Sequence, residues 1–182
     1  MELSQPLDIK GCVGCTKSLR SLYVLKREGR VEALERFIVE AKAVSYVSGQ
    51  PSVAAPTRLG AHDISYQRGA FSYLDSYFGG TDFLGQEVVW KDEEPIWAMN
   101  YYGRILDPER FDGERAGTVI KQALSALYQE KRFLGGFSYQ HPLGEYVDQS
   151  VGDCGSFHGV ERIFVGGRVV YQLDYQGGLI KP

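Results

Sequence analysis

Tyr73, Asp75 and Tyr77 fall on alternate residues of the stretch Phe71–Phe78, and alternate residues of a strand share one side of a sheet. A carboxylate between phenols on a half-buried face needs hydrogen-bonded company, which tyrosine hydroxyls supply. Glu87 and a second aromatic burst, Trp97-Ala98-Met99-Asn100-Tyr101-Tyr102, follow closely enough for neighbouring strands to bring them alongside. Arg58 approaches from the preceding loop and offers a bidentate contact to an anionic ligand group. The candidate ligand-binding residues are therefore Arg58, Tyr73, Asp75, Tyr77, Glu87, Trp97, Tyr101 and Tyr102. Aromatic walls with a few fixed polar groups are the usual make-up of a small-molecule pocket. The competing reading is a packed sheet face whose tyrosines bury their rings and wet their hydroxyls, with the acids paired to arginines.

Other chemistry has thinner support. Cys12-Val13-Gly14-Cys15 has CxxC spacing, and with Cys154 and His158 it would complete a Cys3His zinc set. One isolated CxxC does not specify a site, so neither a metal nor a cofactor is expected. A redox CxxC opens a helix after a strand in a βαβ unit, which the pattern here lacks. His158 and Glu161 would alternate onto opposite faces of a hairpin closing at Gly166-Gly167, which argues against an acid–base pair. No GxSxG, P-loop or GxGxxG pattern occurs, and no catalytic residue is assigned. Two alternatives to ligand binding stay open. One is a hydrolase or lyase using Asp75 or Glu87. The other is a protein-interaction domain docking through exposed aromatics.

Composition narrows the class. A chain of 182 residues buries a core without staples. Net charge −3 and pI about 5.7, with no basic run, exclude a sequence-independent grip on nucleic acid, so no direct nucleic-acid binding is expected. No stretch reads as a signal peptide or approaches the length of a membrane span. Three cysteines fit a reducing compartment, and the expected setting is the cytoplasm, with no membrane partner. A small-molecule ligand and a homodimer remain as partners.

The elements that must position these residues follow from pattern. Residues 1–30 read as an N-terminal extension, helical around Leu19, Leu22, Tyr23 and Lys26; residues 31–182 read as one domain. Leu34, Phe37, Ile38, Ala41 and Ser45 mark the inward face of a helix from about Val31 to Val47, with Glu32, Glu35, Arg36 and Lys42 outward. Strands are expected at Ile64–Tyr66, Phe71–Phe78, Glu87–Lys91 and Ile96–Tyr102. Asp107-Pro108 reads as an N-cap with proline in the first turn, before a helix at Glu114–Lys131. Two alternating runs joined by Gly166-Gly167 make a hairpin with a type I′ turn. The echo of Tyr-x-Gly-Gly at Tyr77 and Tyr175 reads as two strands that each end in a tight glycine exit.

The segments FIVEAKAVSYVSG, RLGAHDISYQRGAFSYLDSYFGGTDFLGQEVVW, PIWAMNYYGRIL and GVERIFVGGRVVYQLDYQGG resemble a bacterial family of uncharacterised domains. Its members occur alone or C-terminal to helix-turn-helix domains in transcription regulators. The resemblance spans about residues 34–180 and fixes relatives rather than a reaction; it is compatible with a sensing role. The first 33 residues are shorter than a typical helix-turn-helix domain, so direct operator binding is not expected. The fold expected is α+β: a mostly antiparallel sheet of about six strands, with two main helices packed on one face. The leading function is a small-molecule-binding or sensing module.

Overall fold

The computed structural model describes residues 29–47, 52–53 and 56–181. The N-terminal helix expected around Leu19–Lys26, and the cysteines Cys12 and Cys15, lie outside the described residues. The chain divides into two compact units, Met1–Ala33 and Leu34–Pro182. Residues 29–33 of the first are helical.

In the second unit, residues 34–42 form α1, which runs into a π-helical turn, Ala43–Val47. A two-residue strand β1 (Ser52–Val53) precedes β2 (His62–Arg68), β3 (Phe71–Gly79), β4 (Phe83–Lys91) and β5 (Glu94–Ile105). Helix α2 (Gly113–Gln129) follows, then β6 (Phe137–His141), β7 (Gly144–Asp153), β8 (Ser156–Val165) and β9 (Arg168–Leu179). All pair antiparallel in one sheet, ordered β1-β2-β3-β4-β5-β9-β8-β7-β6. The unit is α+β with a wholly antiparallel sheet. It has eight long strands and the short β1, not about six, because the Gly-rich stretch after α2 forms β6, β7 and the start of β8 rather than loop. No described helix is long and apolar enough to cross a membrane.

The sheet is built twice. In the central ladder Tyr101 pairs with Tyr175, Trp97 with Leu179, and Ile105 with Tyr171. Tyr171 and Tyr175 lie about 74 positions after Trp97 and Tyr101, so exchanging the two strands maps the ladder onto itself. The correspondence extends outward on both sides. Asp75 pairs with Glu87 and Asp148 with Glu161; Tyr66 pairs with Tyr73 and Tyr139 with Tyr146. Even the irregularities match, with a register shift at Val89/Trp90 and another at Ile163/Phe164. Each half is thus one helix followed by an antiparallel meander. The Tyr-x-Gly-Gly echo is out of register with this repeat, since Tyr175 corresponds to Tyr101 and not to Tyr77.

Local chemistry fixes the ends. The β8–β9 turn uses Gly166 and Gly167 at φ 57° and 76°, as a type I′ hairpin requires. The corresponding β4–β5 turn places Asp92 and Glu93 at φ 50° and 69°, a conformation that L side chains resist. The N-cap of α2 is Asp112, whose side chain accepts from the Arg115 N–H at 2.9 Å. Asp107 instead closes a turn, its carbonyl accepting from Arg110 and Phe111.

Both helices lie on one face of the sheet. Leu34, Phe37, Ile38, Val119, Leu124 and Leu127 are buried as their spacing predicts; burial of each such side chain stabilises by about 1.5–3 kcal/mol. Ile120 is only half-buried. Lys42, expected outward, is 5% exposed. It follows Ala41 on the inward stripe, and an acidic partner on the sheet makes that position tolerable.

Candidate functional site

Strand alternation sorts the eight candidate residues onto two faces. Tyr73, Asp75, Tyr77, Glu87, Trp97 and Tyr101 share the face under the helices, as their Cα pairing across β3, β4 and β5 shows. Tyr102 has the opposite parity. It is 40% exposed on the uncovered face, beside Arg104. Arg58 also belongs to that face. Its guanidinium donates to the Ser76 carbonyl and hydroxyl, each at 2.7 Å, and lies over the Phe78 ring. Arg58 and Tyr102 are therefore not brought to the tyrosine–carboxylate set. Trp97 is fully buried, stacked on Phe157 and donating to the Cys154 carbonyl, which makes it core.

A tyrosine–aspartate clasp occurs in each half. Tyr101 Oη donates to Asp75 Oδ1 at 2.5 Å, and Tyr175 Oη donates to Asp148 Oδ1 at 2.7 Å. Each clasp spans an intervening strand, and the residue beneath it is glycine: Gly85 in one, Gly159 in the other. A Cβ at either position would run into the tyrosine hydroxyl. The glycines are thus required by the close passage of a side chain, not by backbone conformation. Burial raises Asp148, and the hydrogen bond from Tyr175 offsets part of that rise.

The glutamates occupy corresponding places but differ in company. Glu87 is 2% exposed and takes the Lys42 ammonium at 2.6 Å; Lys42 also contacts Met99 Sδ at 3.5 Å. Among the described residues no ion pair reaches Glu161. Burial first, and then the charge of Asp148, push its carboxyl up to about 8. The Tyr146 hydroxyl lies beside Glu161 and offsets part of that rise. Both glutamates border a cavity of about 80 Å³ at the centre of the sheet, walled also by Lys42, Tyr101, Tyr128 and Tyr171. Glu161 is half-buried and borders this space. Two groups in the wall, Glu87 Oε2 and the Tyr171 hydroxyl, are buried and have no partner from the protein.

Beside the cavity lies a cleft of about 520 Å³ between α2 and the β2–β3 end of the sheet. Phe83, Tyr101, Ile120 and Leu124 wall both spaces. Tyr77 and His62, ring centroids 5.1 Å apart, line the cleft with Ser45 and Lys121. Its walls are mainly apolar, with few polar groups.

The remaining motifs carry little chemistry. Cys154 is 3% exposed and burial pushes its thiol up to about 12, so it stays protonated. His158 lies on the uncovered face, opposite to Glu161. Among the described residues no three His, Cys, Asp or Glu side chains converge to hold a metal ion.

Sequence reasoning missed Lys42, Asp148, Tyr171 and Tyr175 as site residues, and weighed Glu161 only as a partner of His158. A signal for Asp148, Glu161 and Tyr175 was present: Tyr-x-Asp, then Gly-x-Glu, then Tyr-x-Gly occurs at Tyr73, Gly85 and Tyr101, and again at Tyr146, Gly159 and Tyr175.

No curated protein and no solved structure matches this chain. A family model does match, over residues 75–180, from Asp75 of the first clasp through all of the second half. It includes both aspartates and both glutamates but not Lys42. The chain therefore belongs to the DUF5680 family, described as a domain of unknown function.

Proposed function

We propose that this domain binds a small molecule in the central cavity and the adjoining cleft, and serves as a cytoplasmic sensing module. The observation that carries this reading is the pair of buried polar groups without protein partners, Glu87 Oε2 and the Tyr171 hydroxyl, in the wall of the central cavity. Leaving such a group unsatisfied costs about 1–3 kcal/mol, and a packed core avoids it. Water or a ligand in that space meets the need, and the cleft offers a ligand-sized approach.

The test is a thermal-shift screen on the domain and on Gly117→Trp. Gly117 lines the cleft, and a Cβ there meets nothing within 4 Å, so the indole fills the cleft without breaking the helix. A ligand present at a hundred times its Kd stabilises by about 2.7 kcal/mol. The expected result is a stabilising compound whose effect Gly117→Trp abolishes. A screen without any stabilising compound, or a hit indifferent to Gly117→Trp, contradicts the reading.

A hydrolase or lyase is the second reading, and one observation favours it. The Glu161 carboxyl is pushed up to about 8, close to neutrality as a general acid–base group requires. Consumption of a screening hit by the native domain, lost in Glu161→Gln, would turn the binding site into an active site.

A further inference from the structure

The cation on Glu87 has no counterpart on Glu161. The residues of α2 that border the cavity are Ile120, Leu124 and Tyr128, so the second helix sets no ammonium there as α1 sets Lys42. We propose that the central cavity takes the ammonium of a primary amine against Glu161, as Lys42 sits on Glu87, while the apolar body of the amine extends past Phe83, Ile120 and Leu124 into the cleft. This rests on the reading that the cavity is a small-molecule site.

Three features favour an amine over other ligands. An ammonium has three N–H donors and no acceptor. Glu161 supplies one acceptor, and Glu87 Oε2 and the Tyr171 hydroxyl, both lacking protein partners, are two more in the same wall. Size agrees as well. Water occupies about 30 Å³ in the liquid, so a cavity of about 80 Å³ holds an ammonium head, with the longer body left to the cleft.

Charge decides between amine and acid. Asp148 and Tyr146 of β7, Glu87 of β4, Tyr171 and Tyr175 of β9 and Tyr128 of α2 act on Glu161 or share its cavity. Among the described residues that wall the cavity the one cation is Lys42, which also acts on Glu161 but is closed on Glu87, while Lys121 lies out in the cleft. An anion entering here would find Lys42 already closed on Glu87 and would gain nothing from Glu161, whereas an amine turns Glu161 into its counter-ion. Because Glu161 titrates at about 8, it holds a proton at neutral pH that an arriving ammonium displaces.

Calorimetric titration with hexylamine, hexanol and hexanoate tests the proposal on the native domain and on Glu161→Gln. Glutamine reproduces the neutral carboxyl, so the variant folds. At pH 7, in buffers of different ionisation heat, hexylamine should bind with release of about one proton. Its affinity should rise about tenfold per pH unit from 6 toward 8 and then level. Hexanol and hexanoate should bind at least about tenfold more weakly, and Glu161→Gln should remove both the preference and the proton release. Hexylamine binding no tighter than hexanol, or unchanged in Glu161→Gln, overturns the assignment. If hexanol or hexanoate binds where hexylamine does not, the cavity remains a ligand site and only the amine fails. If none binds and the broad screen also finds nothing, both readings fall.

Discussion

The two halves of the sheet share a frame and divide its tasks. Each has a Tyr–Asp clasp passing over a glycine, and each carries a glutamate on the adjacent inward position. In the first half the glutamate is neutralised from within by Lys42. In the second it faces a cavity with no cation closed on it, and burial raises its carboxyl. The same strand geometry has thus been finished as structure on one side and left open on the other. The difference places the proposed ligand site where the repeat is broken: α1 brings Lys42 to the cavity, and α2 brings Ile120, Leu124 and Tyr128.

The sharpest way to break the comparison is to remove the cation. Lys42→Met leaves Glu87 buried and unpaired, and should destabilise by about 3–5 kcal/mol. Lys42→Met with Glu87→Gln should recover most of that loss. Urea titrations of the two variants check this, and an equally small loss in both would mean that Glu87 is not held by Lys42.

The clasps come next. Gly85→Ala and Gly159→Ala should each cost about 1–3 kcal/mol, because the added methyl displaces the tyrosine hydroxyl. Asp75→Asn should cost about 1–3 kcal/mol by weakening a buried charged hydrogen bond. Asp148→Asn should cost less, since burial already burdens that carboxylate. Thermal melts rank the four; silent glycine variants would show that the clasps are dispensable.

Glu161 should behave in the opposite sense to Glu87. Its folded-state pKa, about 8, lies above the ordinary 4.5. The folded chain therefore binds more protons than the unfolded chain between those values, and stability from this residue falls as pH rises through that window. Glu161→Gln should flatten the slope and stabilise the domain by about 1–3 kcal/mol at pH 8. Stability measured at pH 5 and pH 8 decides it, and a loss at pH 8 contradicts the asymmetry.

The smallest effect is at the matched turns. Asp92→Asn with Glu93→Gly gives the first half the type I′ chemistry that the second already has. A gain of about 0.5–1 kcal/mol is expected, read as a shift in the denaturation midpoint.

Much of this frame is legible in the sequence, and the limits have physical causes. The inward stripe of β3, both helices and the Gly166-Gly167 hairpin follow from periodicity and turn chemistry. Period-two alternation also separates Tyr102 from Tyr101, although sequence proximity groups them. Lys42 is hidden because its compensating partner, Glu87, lies on a strand 45 positions away, and a hydropathy pattern assigns an isolated lysine to solvent. The repeat is hidden because the halves agree only at a few inward positions while their outward faces differ. Arg58 is misplaced for a simpler reason: its partners, Ser76 and Phe78, sit on the face that the aromatic stripe does not use.

The most direct measurement is a 13C NMR titration of the glutamate carboxyl carbons, with Glu161 assigned from Glu161→Gln. Glu161 should titrate near 8 in the free domain and fall toward the ordinary carboxylate range when hexylamine is bound. A Glu161 titrating in the ordinary range in the free domain, unmoved by the amine, would contradict the account.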